Sequence, residues 1–225
     1  MNELPDLTTF SERMQALVAR VASCGVAPSD IQILPVTKAF GPEAVTLALD
    51  AGCGAVGENY AQELVRKHAS LEQRQPQWHF IGRLQSNKVR KLASIVDLWQ
   101  SLDRASVIDE VAKRAPGANV LVQVAISREP QKGGVLPEDA AALVEYARTA
   151  GLFVQGLMGV AGMDNDVAVA GQFKLLRALV DEQGLELCSM GMTNDLELAV
   201  KEGSTMLRIG TALFGPRTPK LGLQH

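Results

Sequence analysis

The chain has 225 residues, 47% of them hydrophobic, and a formal net charge of −3. That length fits a single domain spanning 1–225 with a substantial core, and the acidic balance argues against a general nucleic-acid surface. Three cysteines without a close pair (Cys24, Cys53, Cys188) exclude a disulfide framework or a zinc site, and no charge-free run reaches membrane-spanning length.

The amino terminus, Met1-Asn2-Glu3-Leu4-Pro5-Asp6, lacks the basic flank and apolar core of a signal peptide, so a cytoplasmic location is expected. A helix comes first. Thr9-Phe10-Ser11-Glu12 reads as a capping box, Phe10, Met14, Leu17, Val18 and Val21 share one face, and Gly25 is the stop. Eight strand-like runs follow: Ile31–Thr37, Ala55–Glu58, Trp78–Ile81, Leu98–Leu102, Asn119–Ile126, Phe153–Val160, Leu185–Met190 and Met206–Ile209.

Helical segments separate these runs. Pro42 occupies a first helical position and Gly52 ends that helix; Ser86 opens the segment 87–93. Pro137-Glu138-Asp139 opens a helix that Gly151 closes, and Asn194-Asp195 opens 196–202, which Gly203 closes. Alternating strands and helices imply parallel strands joined by right-handed crossovers. Eight of them favour closure into a single (β/α)8 TIM barrel, which leaves no edge to protect. Fewer than twenty residues follow the eighth strand, Pro216 and Pro219 among them, so a full eighth helix has little room. The extra N-terminal helix is expected to fill its place.

In such barrels chemistry gathers at the carboxyl ends of the strands, and phosphate commonly binds after strands seven and eight. Ser189-Met190-Gly191-Met192-Thr193 follows strand seven, and Arg208-Ile209-Gly210-Thr211 ends strand eight. Glycine lets backbone N–H groups approach phosphate oxygens, the helix near Asn194 adds partial positive charge, and Thr193 and Thr211 each offer a hydroxyl. Either glycine alone reads as turn punctuation; the pair at the phosphate position reads as a cradle.

Lys38 stands at the end of strand one, across the barrel mouth from that cradle. Most lysines are solvated, but a partly desolvated amine among other cations is a nucleophile suited to a Schiff base. A nucleophilic amine facing a phosphate cradle is what pyridoxal phosphate requires. Arg208, inside strand eight, must be paired or functional. At a pyridine nitrogen it would donate a hydrogen bond and leave the ring a poor electron sink; the alternative is an ion pair with Glu58 or Asp103. Asn59 can contact the cofactor's ring oxygen or cap the following helix. His79 reads as a satisfied structural histidine, and His68 and His225 do not cluster with it into a metal site. The basic run 87–91 reads as a solvated helix face, and Lys132 lies in a rim loop with its role open.

Several segments carry a resemblance. They are Val36-Thr37-Lys38, Gly57-Glu58-Asn59-Tyr60-Ala61-Gln62-Glu63, the run from Trp78 through Lys88, Ser189 through Asp195, Gly203 through Thr211, and Phe214-Gly215. Running in this order over nearly the whole chain, they resemble the YggS/PROSC family of pyridoxal phosphate homeostasis proteins. The resemblance implies a barrel like the amino-terminal domain of alanine racemase, with pyridoxal 5'-phosphate held as an aldimine on Lys38. It implies Arg208 at the pyridine nitrogen, Asn59 near the ring and the phosphate held by Thr193, Gly210 and Thr211; Ser189, Gly191 and Met192 of the same segments complete the expected cofactor-binding residues. It further implies a monomeric carrier that delivers the cofactor to apo-enzymes, with no metal and no catalytic residue. Three positions depart from the family pattern: Thr193 where serine is commoner, Ala39-Phe40 where a more polar pair is usual, and Pro216 where alanine is usual.

Two rivals use the same residue types. An amino-acid racemase needs a second acid–base group, for which only Tyr60 and Tyr146 are available as tyrosines. A Schiff-base aldolase would use Arg208 to grip a sugar phosphate.

Overall fold

The computed structural model describes residues 4–71 and 74–216; the terminal Met1-Asn2-Glu3, Pro219 and His225 lie outside them. Eight parallel strands form one sheet: β1 (Gln32–Pro35), β2 (Ala55–Glu58), β3 (Gln77–Phe80), β4 (Leu98–Leu102), β5 (Asn119–Val124), β6 (Phe153–Gly159), β7 (Leu187–Ser189) and β8 (Met206–Ile209). Their order is β1-β8-β7-β6-β5-β4-β3-β2, and its two ends meet. Val36 bridges to Gly57 just beyond β1, and the Thr37 N–H donates to the Gly57 carbonyl at 3.0 Å. The sheet closes into the expected (β/α)8 TIM barrel.

Strand alternation divides the core in two. Leu34, Ala55, Leu98, Leu121, Met158 and Met206 cluster inside the barrel. Their neighbours Val56, Trp78, Phe80, Trp99, Val120, Leu157 and Leu207 face outward into the helical layer. That layer consists of α2 (Pro42–Asp50), α3 (Ala61–Ser70), α4 (Ser86–Leu92), α5 (Ala105–Arg114), α6 (Ala140–Thr149), α7 (Asp166–Glu182) and α8 (Leu196–Lys201). The run 87–91 lies on α4, with Val89 buried and Arg90 and Lys91 exposed. Among the described residues no helix is long and apolar enough to cross a membrane.

Among the described residues after β8 there is one helical turn, α9 (Thr211–Phe214), and α1 (Leu7–Ser23) packs on α8 and α9. The Phe10 and Phe40 rings each lie 5.3 Å from Phe214, and Arg13 Nη1 donates to the Leu213 carbonyl at 2.8 Å. Phe40, one of the two unusual residues after Lys38, is therefore a buried packing residue.

The start of α1 corrects the capping-box reading. Asp6 is the cap, its carboxylate accepting from the Thr9 N–H at 2.8 Å, so Thr9 lies inside the first turn. A carboxylate here meets both the orphan N–H groups and the positive end of the helix dipole. Val18 also leaves the predicted apolar face and is 37% exposed.

Candidate functional site

The carboxyl ends of the strands enclose a cavity of about 500 Å³. Seven of the nine sequence-predicted site residues line it: Lys38, Asn59, Met192, Thr193, Arg208, Gly210 and Thr211. Ser189 and Gly191 do not line it. Ser189 is fully buried beneath the guanidinium of Arg208. Gly191 serves packing: it sits at φ +93°, and a Cβ there would lie 2.5 Å from that of Ala199.

A buried lock holds the segment carrying Lys38. The Thr37 hydroxyl donates to Glu58 Oε1 at 2.6 Å, Lys67 from α3 pairs with the same carboxylate, and Lys67 Nζ donates to the Thr37 carbonyl at 2.7 Å. The next residue, Ala39, adopts φ +67°, a left-handed conformation that costs a non-glycine residue energy. Its N–H is tied to Glu63 Oε2 at 2.9 Å. Burial pushes the Glu58 carboxyl above its usual range, while Lys67 and Thr37 pull it back. Glu58, Glu63 and Lys67 thus set the lysine's backbone without lining the cavity. Glu63 and Lys67 read from sequence only as part of a charged helix, since i,i+4 charge spacing usually marks a solvated face.

Arg208 forms part of the floor. Its Nη1 donates to the Ser189 carbonyl at 2.7 Å and to Ser189 Oγ at 2.8 Å, and its Nη2 donates to the Gly159 carbonyl at 2.7 Å. No carboxylate is hydrogen-bonded to it among the described residues, so the alternative pairing with Glu58 or Asp103 is not made. Burial lowers its pKa to about 10, which leaves it charged at neutral pH.

The phosphate-side segments are braced from outside the barrel. Arg20 of α1 pairs with Glu197 at 2.6 Å and donates to the Thr193 carbonyl at 3.1 Å. Thr193 Oγ1 accepts from the Ala212 N–H at 3.4 Å, linking the segment after β7 to the turn after β8. Across the cavity Gly82 approaches Asn59 so closely that a Cβ would lie 1.9 Å from the Asn59 carbonyl oxygen.

Sequence reasoning missed several lining residues, notably Arg83, Gln123 and Asp195. Lys132 also lines the cavity, in a tethered loop: its Nζ donates to Glu129 at 2.7 Å and to the Ala161 carbonyl at 2.6 Å. The only usable signal for Arg83 is its place just after the Gly82 turn at the end of β3. Neither tyrosine reaches the cavity; Tyr146 is on α6 bonded to Asp109, and Tyr60 opens onto a neighbouring dent.

His79 is buried inside the barrel, facing opposite to Trp78 and Phe80, with Nδ1 3.0 Å from Gln100 Nε2. Desolvation lowers its pKa from 6.5 to about 4, so it is neutral at pH 7. The unfolded chain takes up the proton at higher pH than the folded one. Acidification from pH 6.5 towards 4 therefore removes roughly 3 kcal/mol of stability through this residue. His79→Asn, which keeps an acceptor at the same place, is expected to flatten the fall of Tm across that window. A variant as acid-sensitive as the wild type would remove His79 as the cause.

The family model of the alanine racemase N-terminal domain matches residues 7–218. A pyridoxal phosphate homeostasis protein of Aquifex aeolicus is 38% identical over 229 residues, covering 96% of this chain and 99% of the relative. The chain belongs to the pyridoxal phosphate homeostasis protein family. Among solved structures, PipY of Synechococcus elongatus with PLP bound superposes with a TM-score of 0.77 at 29% identity, over 88% of this chain and all of that one. Lysine decarboxylase from Selenomonas ruminantium, at 22% identity and a TM-score of 0.69, shares the fold, and the chain covers 61% of its length.

Proposed function

We propose that the cavity binds pyridoxal 5'-phosphate and that the protein takes up, keeps and releases this cofactor in the cytoplasm. The observation that carries this reading is the charge of the cavity. Lys38, Arg83, Lys132 and Arg208 line it against the carboxylate of Asp195, and even with Lys132 paired to Glu129 cations outnumber carboxylates there, in a chain of net −3. Such a field concentrates a small anion.

The remaining lining matches the cofactor group by group. Thr193, Gly210 and Thr211 suit a phosphate, with hydroxyls and a close backbone approach. Arg208 has only donors to offer, which suits an unprotonated ring nitrogen. Asn59 Oδ1 is buried and meets no hydrogen-bond partner among the described residues, and a ring hydroxyl would supply a donor. Bound there, the cofactor supplies an aldehyde that an amine captures reversibly with loss of water. Lys38 is the amine we assign, and its fixed backbone limits the ways it can approach.

The homeostasis names of the relatives and the PLP-bound PipY structure support the same reading. A racemase would need a second acid–base group, and no tyrosine lines the cavity. We assign the protein a monomeric state. We assign apo-enzymes as recipients of the released cofactor.

The test is a visible absorption spectrum of purified protein titrated with pyridoxal phosphate, followed by borohydride reduction and peptide mapping. A visible band lost on reduction, with the added mass on Lys38, is the expected result. A protein that stays colourless and unlabelled sinks the proposal and favours a sugar-phosphate barrel.

A further inference from the structure

Beneath the cavity floor four polar side chains run through the barrel interior: Arg208 of β8, Ser189 of β7, Gln100 of β4 and His79 of β3, none more than 5% exposed. Arg208 Nη1 donates to Ser189 Oγ at 2.8 Å, and the Ser189 hydroxyl donates to Gln100 Oε1 at 2.7 Å. Gln100 Nε2 lies 3.0 Å from His79 Nδ1 and 3.1 Å from Met206 Sδ.

Chemistry sets the direction of this run from end to end. A guanidinium only donates, so Ser189 Oγ accepts from it and must place its own proton elsewhere. A thioether only accepts, so the amide nitrogen of Gln100 belongs on the Met206 side and the amide oxygen turns to Ser189. His79 then accepts at Nδ1 and carries its proton on Nε2.

We infer that Gln100 is a positioning residue for Arg208: by accepting the hydrogen bond of the Ser189 hydroxyl, it keeps a Ser189 lone pair on the guanidinium that forms part of the cavity floor. The role rests on the cofactor reading for its effect on binding, but not for its effect on the arginine. Arg208 has three neutral acceptors and two of them belong to Ser189. Without the Gln100 oxygen, the buried Ser189 hydroxyl loses its acceptor and must turn, competing for the carbonyls that Arg208 uses.

The test compares Gln100→Met, which keeps length and removes both polar groups, with Gln100→Glu. The acid form of that glutamate offers the same acceptor to Ser189 and a donor to His79. The readout is hydrogen exchange of the Arg208 guanidinium protons by NMR in the ligand-free protein, which a purely space-filling role would not move. Exchange is expected to accelerate about tenfold in Gln100→Met, the equivalent of one hydrogen bond to a charged group, and to recover in Gln100→Glu. Ser189→Ala removes the intervening hydroxyl and is expected to give the same acceleration, even if Gln100→Met does not fold. Wild-type exchange in either folded variant, or no recovery with glutamate, overturns the assignment. Pyridoxal phosphate titrations of the same samples separate the two readings. Altered guanidinium exchange without binding by any form, wild type included, upholds Gln100 as the positioning residue and refutes the cofactor proposal.

Discussion

Lys38→Ala is expected to abolish the borohydride-trapped adduct of pyridoxal phosphate while the variant folds with wild-type stability. Its backbone setting is held by several neighbouring groups. Thr37 is fixed by Glu58 and Lys67, and the Ala39 N–H by Glu63, all through groups other than the Lys38 side chain. The rest of the cavity also persists, since Arg208, Gly210, Thr211 and Thr193 are carried by β8 and by the segments after β7 and β8; β8 pairs directly with β1, so they flank Lys38 rather than face it across the mouth. Weak, reversible binding should therefore survive, with affinity reduced on the order of a hundredfold, or about 2.8 kcal/mol. Equilibrium dialysis measures the residual binding, and peptide mapping after reduction locates any label. Undiminished labelling in the alanine variant would show that another amine does this work, and Lys132, on the same cavity, would be the first to examine.

The second large effect concerns stability. Lys67→Met is expected to cost about 3–5 kcal/mol, because it strands the Glu58 carboxylate in the interior without its counter-charge. Glu58 is fully buried and Lys67 is 3% exposed. One Glu58 oxygen has no hydrogen-bond partner among the described residues, and the Thr37 carbonyl would lose its ammonium donor as well. At roughly 2–4 °C per kcal/mol for a domain of this size, Tm should fall by about 10 °C. Adding Glu58→Gln to Lys67→Met removes the stranded charge and should restore most of the loss. Calorimetry of the two single variants and the double variant measures the coupling directly. A Lys67→Met protein within about 1 kcal/mol of wild type would mean that water reaches the carboxylate.

The link from this lock to function is the turn it holds. Ala39 stays in a left-handed conformation because the residues on either side are anchored. Loosening Thr37 should therefore weaken the capture of pyridoxal phosphate by Lys38 even though Lys67 lies outside the cavity.

The periodic and punctuated features of this protein are legible in its sequence. Eight runs alternating with helices, bounded by Pro42, Gly52, Gly151 and Gly203, define a closed barrel, and strand ends put Lys38, Thr193 and Gly210 at one mouth. These features depend on near neighbours in the chain, where side-chain period, caps and turn residues act. The extra helix α1 was equally legible, and it packs on α8 and α9. The partners of the buried polar groups came from the folded barrel. Arg208 could read as half of an ion pair until the fold gave it two carbonyls and a hydroxyl. Lys67 could read as one more solvated charge on α3, because helical spacing says which residues share a face and not what that face meets. Ser189 and Gln100 are 89 residues apart and bond only because β7 and β4 point side chains into one barrel. The cost of burying a polar group fixes that a partner must exist. Which residue answers is set by barrel closure, and no local pattern carries that information.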